Sequence, residues 1–125
     1  MADGTRTIHI VDDDEVVRDS LTVLLESRGF VVSAYASALE YLARAKAGAG
    51  ACLILDNHMP QMTGLELLHR LRERGDRVLV IMMTGLWDAA SRAQAEALGV
   101  LAFLEKPMFG ARLFDEIDRA MTQLA

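Results

Sequence analysis

Five short apolar runs recur along the chain, each followed by an amphipathic stretch, and few folds accommodate that alternation. The runs are Ile8–Val11, Val31–Tyr35, Cys52–Leu55, Val78–Met83 and Val100–Leu104. Their length and β-branched content suit strands buried on both faces, although periodicity alone does not separate such runs from buried helix. Helix signals lie between them. Val17, Leu21, Leu24 and Leu25 share one helical face, and Gly29 stands where a left-handed C-cap is wanted. Ser37-Ala-Leu-Glu40 and Thr63-Gly-Leu-Glu66 both read as capping boxes, in which hydroxyl and carboxylate satisfy orphan amides. Gly75 and Gly99 fit as stops after the third and fourth helices, and Leu113, Ile117, Met121 and Leu124 mark the apolar face of a fifth.

The fourth helical stretch, Asp88 to Leu98, differs from the others. Its expected inward residues are Ala89, Ala90, Ala93 and Ala97, which bury little area each, so packing should hold this helix weakly. Strand-helix alternation repeated five times implies an α/β fold with a parallel sheet, right-handed crossovers and helices on both faces. With no repeat, linker or low-complexity tract, residues 1–125 are expected to form one domain. In such sheets ligands bind beyond the carboxyl ends of the strands, near the point where strand order reverses.

Composition narrows the function classes. The net charge is −5, from 13 Lys and Arg against 18 Asp and Glu, and no basic run suggests a nucleic-acid or anionic-lipid surface. If this protein controls DNA, another chain or domain makes the contact. The single Cys52 cannot form an internal disulfide, which agrees with a cytoplasmic location, and it reads as a small core residue. No apolar stretch approaches the ~20 residues of a membrane span.

Chemistry-bearing residues collect at the strand ends. The first run ends in Asp12-Asp13-Asp14-Glu15, the third in Asp56, the fourth in Thr84-Gly85 and the fifth in Glu105-Lys106-Pro107. Each has an ordinary reading alone: aspartates cap helices, Thr84 ends a strand, and Lys106 is a solvated charge. Together they describe a site. Asp12, Asp13 and Asp56 in one cleft would repel each other and resist full ionisation. A hard divalent cation relieves this, and carboxylate, carbonyl and water oxygens suit Mg²⁺. Lys106 adds a second positive charge and Thr84 a neutral donor. Such a site is suited to phosphoryl transfer, in which the protein positions the group and neutralises charge on its oxygens. Asp56, projecting from the central strand, is the candidate nucleophile, with Asp12 and Asp13 holding the metal.

These residues resemble a known family, the receiver domains of bacterial two-component systems. The marks are Val11-Asp12-Asp13-Asp14, Leu55-Asp56 followed by Met59-Pro60 and Gly64, Met83-Thr84-Gly85, and Glu105-Lys106-Pro107. The resemblance runs from Ile8 to about Met121. Val11 to Leu21, with Thr84-Gly85 and Phe103 to Pro107, looks most like receivers of the FixJ type. It implies a flavodoxin-like sandwich with strand order 2-1-3-4-5. It also implies that Asp56 accepts a phosphoryl group from a sensor histidine kinase in a Mg²⁺-dependent reaction. Asp12, Asp13, Asp56 and the His58 carbonyl would be the metal contacts, with Asp13 the closer of the acidic pair. Asn57, Gly85 and Lys106 would contact the phosphoryl group. Thr84 would be the switch hydroxyl and Phe103 the switch aromatic, and the Lys106-Pro107 bond would be cis.

The resemblance implies a switch that catalyses only its own phosphorylation and dephosphorylation, not a turnover enzyme. Phosphorylation would reshape the surface of the fourth helix, fifth strand and fifth helix, through which homodimerisation is expected. The output would be transcription through a separate DNA-binding domain. A pure docking module would have lost the acceptor or the lysine, and both are present. A small-molecule phosphatase would want a further acid-base group and a capped pocket. Leu86-Trp87 departs from the smaller or more polar residues common at that place. Trp87 shields the site, offers partner surface, or simply packs. His9 is expected to pack within the first strand and His69 to lie on a solvated face, neither as a metal ligand.

Overall fold

The computed structural model describes residues 7–45, 52–85, 88–106 and 111–124. Five strands alternate with five helices in chain order: β1 Thr7–Val11, α1 Glu15–Glu26, β2 Val31–Tyr35, α2 Ala38–Arg44, β3 Cys52–Asp56, α3 Gly64–Glu73, β4 Leu79–Thr84, α4 Ala89–Ala97, β5 Ala102–Glu105 and α5 Ala111–Leu124. The strands pair in parallel in the order β2-β1-β3-β4-β5, as expected for a flavodoxin-like sheet. Every residue of β3 is buried, as are all but the first of β1 and β4, which is why these strands read as unbroken apolar runs. The edge strand β2 is the more exposed.

Two cores flank the sheet. On one side Ile8, Ile10, Ile54 and Ile81 meet Leu21 and Leu25 of α1 and Leu113, Phe114 and Ile117 of α5. On the other, Val11, Leu53, Leu55, Val80 and Met82 meet Tyr41 of α2, Leu67, Leu68 and Leu71 of α3, and Ala95 of α4. Alternate residues of each buried strand thus serve opposite cores, as the pleat requires.

Helix boundaries follow local chemistry. Asp14 caps α1 by accepting from the Val16 and Val17 amides. Thr63 and Glu66 form a complete capping box at α3. At α2 the box is incomplete: Ser37 accepts from the Glu40 amide, but Glu40 turns to the amide of Ala36. Gly29, Gly75 and Gly99 take φ of +89°, +82° and +85° at the ends of α1, α3 and α4, where a side chain would be strained.

One expectation is corrected in α4. Ala89, Ala90, Ala93 and Ala97 are exposed, and Ala95 is the residue this helix buries. The C-terminal turn, where Leu98 is half-buried and the Val100 amide returns to the Ala95 carbonyl, sets which face turns inward. The strand ends also shift: β4 starts at Leu79 and includes Thr84, and β5 starts at Ala102. Leu86, Trp87, the Lys106-Pro107 bond and the side chain of Leu124 lie outside the described residues.

Candidate phosphoryl-transfer site

β1 is the strand where order reverses, with β2 on one side and β3 on the other. Val11 pairs with Leu55, so Asp12 just past β1 and Asp56 ending β3 emerge side by side from the sheet. Both are buried, whereas Asp13 is exposed. Ligand atoms of Asp12, Asp13 and Asp56 all lie within 4.8 Å of one another, the one group of three or more metal-ligating side chains among the described residues. His9 and His69 do not join it. His9 is buried with Nδ1 3.0 Å from the Tyr35 hydroxyl, His69 is exposed, and Cys52 is fully buried.

Lys106 reaches the cluster from beyond β5. Its backbone amide donates to the Thr84 carbonyl at 3.1 Å, fastening it beside β4. Its Nζ lies 2.9 Å from Asp12 Oδ2 and 3.3 Å from Asp56 Oδ2. Neither carboxylate oxygen has a well-directed hydrogen bond. Burial, and then the charge of Asp12, push the Asp56 carboxyl up to about 6, against the opposing pull of Lys106 and the His58 amide. Burial alone would lower the Lys106 ammonium, but its contacts with Asp12 and Asp56 outweigh this and raise it. The site therefore holds more negative charge than one lysine offsets. Three converging carboxylates, one of them open to solvent, fit a hard divalent cation that keeps part of its water shell.

Of the other expected residues, Asn57 and His58 follow Asp56, Thr84 and Gly85 lie at the end of β4, and Phe103 lies on β5. His58 is exposed, and its backbone amide donates to Asp56 Oδ1 at 3.1 Å. Asn57 uses its backbone amide on the Met83 carbonyl and its Oδ1 on the Leu65 amide, leaving its side-chain NH₂ as the donor for a ligand. Thr84 is fully buried at the end of β4, and Gly85 follows it exposed. Phe103 is half-buried on β5, with the Arg92 guanidinium of α4 4.5 Å from its ring centre.

Three local supports lie beside Asp12 and Asp56. The Asp14 amide donates to Asp12 Oδ1 at 2.9 Å. Arg18 Nη1 donates to the Asp12 carbonyl at 2.7 Å. Gly64 packs so tightly under β3 that a Cβ there would lie 2.4 Å from the Asp56 carbonyl oxygen. In the sequence Gly64 stands as a mark of the family pattern and Arg18 within the run from Val11 to Leu21, but neither signal shows what the residue touches.

The comparisons with known proteins agree with this fold. The response regulator receiver domain profile matches residues 8–118. The transcriptional regulatory protein FixJ of Azorhizobium caulinodans is 38% identical over 118 residues, covering 94% of this chain and 56% of that protein. The response regulator protein TodT of Pseudomonas putida is 35% identical over 125 residues, covering 100% of this chain and 55% of its own. The chain thus spans just over half the length of these regulators. Among solved structures, that of FixJ-N superposes with a TM-score of 0.85 at 37% identity, covering 100% of this chain and 98% of the other. A CheY-like receiver domain protein from Methanospirillum hungatei gives 0.89 at 28% identity, covering 96% of each chain. The chain belongs to the response-regulator receiver domain family, the signalling switches of two-component systems.

Proposed function

We propose that this domain takes a phosphoryl group from the phosphohistidine of a sensor kinase onto Asp56. The observation that carries the reading is the triangle that half-buried Lys106 makes with buried Asp12 and Asp56. In the transfer the N–P bond of the donor breaks as an O–P bond to the Asp56 carboxylate forms. Asp56 must be ionised to attack. Its raised pKa of about 6 still leaves it mostly carboxylate at neutral pH, and the Lys106 ammonium favours that form. Asp12, Asp13, Asp56 and the His58 carbonyl would hold Mg²⁺, which when bound offsets charge on the acidic cluster and on the phosphoryl oxygens. Lys106, the Thr84 hydroxyl, Gly85 and Asn57 would serve the same oxygens, positioning the group.

The readout is a conformational change. Thr84 would turn toward the phosphoryl oxygens and Phe103 would follow into the space it leaves, changing the face made by α4, β5 and α5. That α4 buries only Ala95 supports an element with two close-lying arrangements. The changed face would form a homodimer and act on transcription through a DNA-binding domain elsewhere; the FixJ relative is named a transcriptional regulatory protein. None of the described helices is long and apolar enough to cross a membrane, and a cytoplasmic setting fits a kinase partner.

Intact-protein mass spectrometry after incubation with acetyl phosphate tests the reading. One added phosphoryl group that needs both Mg²⁺ and Asp56, and is absent in Asp56→Asn, is the expected result. No adduct, with beryllofluoride also failing to bind, would leave a docking module that ignores phosphate.

A further inference from the structure

We infer that Arg18 is a positioning residue for the divalent-cation site, acting by orienting the peptide that joins Asp12 to Asp13; the inference rests on reading the acidic cluster as that site. Asp12 is held at several points. Its amide donates to the Tyr35 carbonyl at 3.2 Å, its Oδ1 accepts from the Asp14 amide, and its Oδ2 faces Lys106. Its carbonyl lies past the last β1 residue and before α1, where neither the sheet ladder nor the helix supplies a donor. Arg18 supplies one from α1 at 2.7 Å, a short charge-assisted bond.

That bond matters most for the next residue. Among the described residues nothing hydrogen-bonds or ion-pairs with the Asp13 carboxylate, so its place in the cluster depends on the backbone that presents it. Fixing the Asp12 carbonyl fixes the plane of the Asp12–Asp13 peptide and the Asp13 Cα within it, which narrows the directions in which the Asp13 side chain can leave the chain. Holding α1 does not by itself require Arg18, because Asp14 already caps that helix through two amides. The guanidinium also brings a positive charge toward the acidic cluster, which taken alone would weaken cation binding. The orienting effect is the one inferred to win, and Arg18→Lys, which keeps the charge, separates the two.

The test is a Mg²⁺ titration of wild type, Arg18→Met and Arg18→Lys, followed through the Asp13 and Asn57 amide resonances, with thermal unfolding in EDTA measured alongside. Ligand-orienting contacts of this kind typically change metal affinity by ~10–100-fold. Both variants should raise the Mg²⁺ Kd by about tenfold or more, because lysine keeps the charge but is shorter and lacks the planar fork. Arg18→Lys, the milder change, decides the matter if Arg18→Met does not fold. Unchanged Kd in folded variants, whatever their unfolding temperatures, would overturn the inference and leave a structural tie. Tighter binding in Arg18→Met with no change in Arg18→Lys would also overturn it, leaving charge alone. Wild type that binds no Mg²⁺ would overturn the reading of the site together with the inference.

Discussion

The Lys106 ammonium lies 2.9 Å from Asp12 Oδ2, so it and a divalent cation would compete for the same carboxylates. It is also 3.3 Å from Asp56, so one charge serves two buried carboxylates. Because its side chain keeps 26% exposure, solvent screens part of the pairing. Removing it should still cost about 1–3 kcal/mol without metal, less than a fully buried pair would. With this competitor gone, Mg²⁺ should bind more tightly. Urea unfolding of Lys106→Met in EDTA, followed by a Mg²⁺ titration, checks both: lower stability and a lower Kd are expected together, and a raised Kd would contradict the competition.

Asp56 supplies a pH dependence with a definite sign. Its folded pKa of about 6 stands above the ordinary carboxylate value, so the folded state prefers the protonated form. That contribution is fully present below the unfolded pKa near ~3.9 and is lost as pH rises through about 6. In EDTA, Asp56→Asn should therefore be more stable than wild type at pH 7.5, by on the order of 2 kcal/mol. The asparagine also keeps an oxygen for the His58 amide. The advantage should shrink as pH falls from 6 toward 4. Thermal unfolding across that range reads it, and a difference independent of pH would contradict the assignment.

Much of this was legible in the sequence for a physical reason. Parallel strands covered on both faces must be apolar throughout, so β1, β3 and β4 announce themselves as runs, and residues just past neighbouring runs must meet. Asp12 and Asp56 come together that way. The face of α4 was not legible. Alanine stands at positions 89, 90, 93, 95 and 97, and a helix of small residues carries no apolar stripe, so Ala95 is selected by the turn that follows. What Arg18 and Gly64 touch was not legible for a related reason: a long side chain's target and a glycine's close neighbour exist only after distant segments pack.

Gly64 makes that point testable. It opens α3 at a negative φ, where alanine would ordinarily favour the helix by up to about 1 kcal/mol. Here an added Cβ would lie 2.4 Å from the Asp56 carbonyl oxygen and 3.0 Å from Asn57 Cα, both backbone atoms that cannot swing aside. Helix and strand must separate, so Gly64→Ala should destabilise by about 1–3 kcal/mol. Because the displaced atoms belong to Asp56, phosphorylation by acetyl phosphate should slow in the folded variant. Unaltered stability and rate would mean that the α3 start yields freely.

Arg72 ties α4 to the rest of the fold. Its Nε donates to the Leu98 carbonyl at 2.8 Å, and its Nη1 donates to the Asp76 and Val78 carbonyls at 2.9 and 3.0 Å. The C-terminal end of α4 is thus held by one guanidinium and the burial of Ala95, while Ala89, Ala90, Ala93 and Gln94 nearer its start are exposed. Arg72→Met removes all three bonds and leaves part-buried carbonyls without a charged donor, a loss of about 2–3 kcal/mol. Local opening should be easiest where the least else holds the chain, so amide exchange should rise first in α4 and its last turn, before the α1 and α5 side of the sheet. Hydrogen exchange read by mass spectrometry distinguishes this from a uniform loss of protection, which would show that α4 unfolds only with the whole domain.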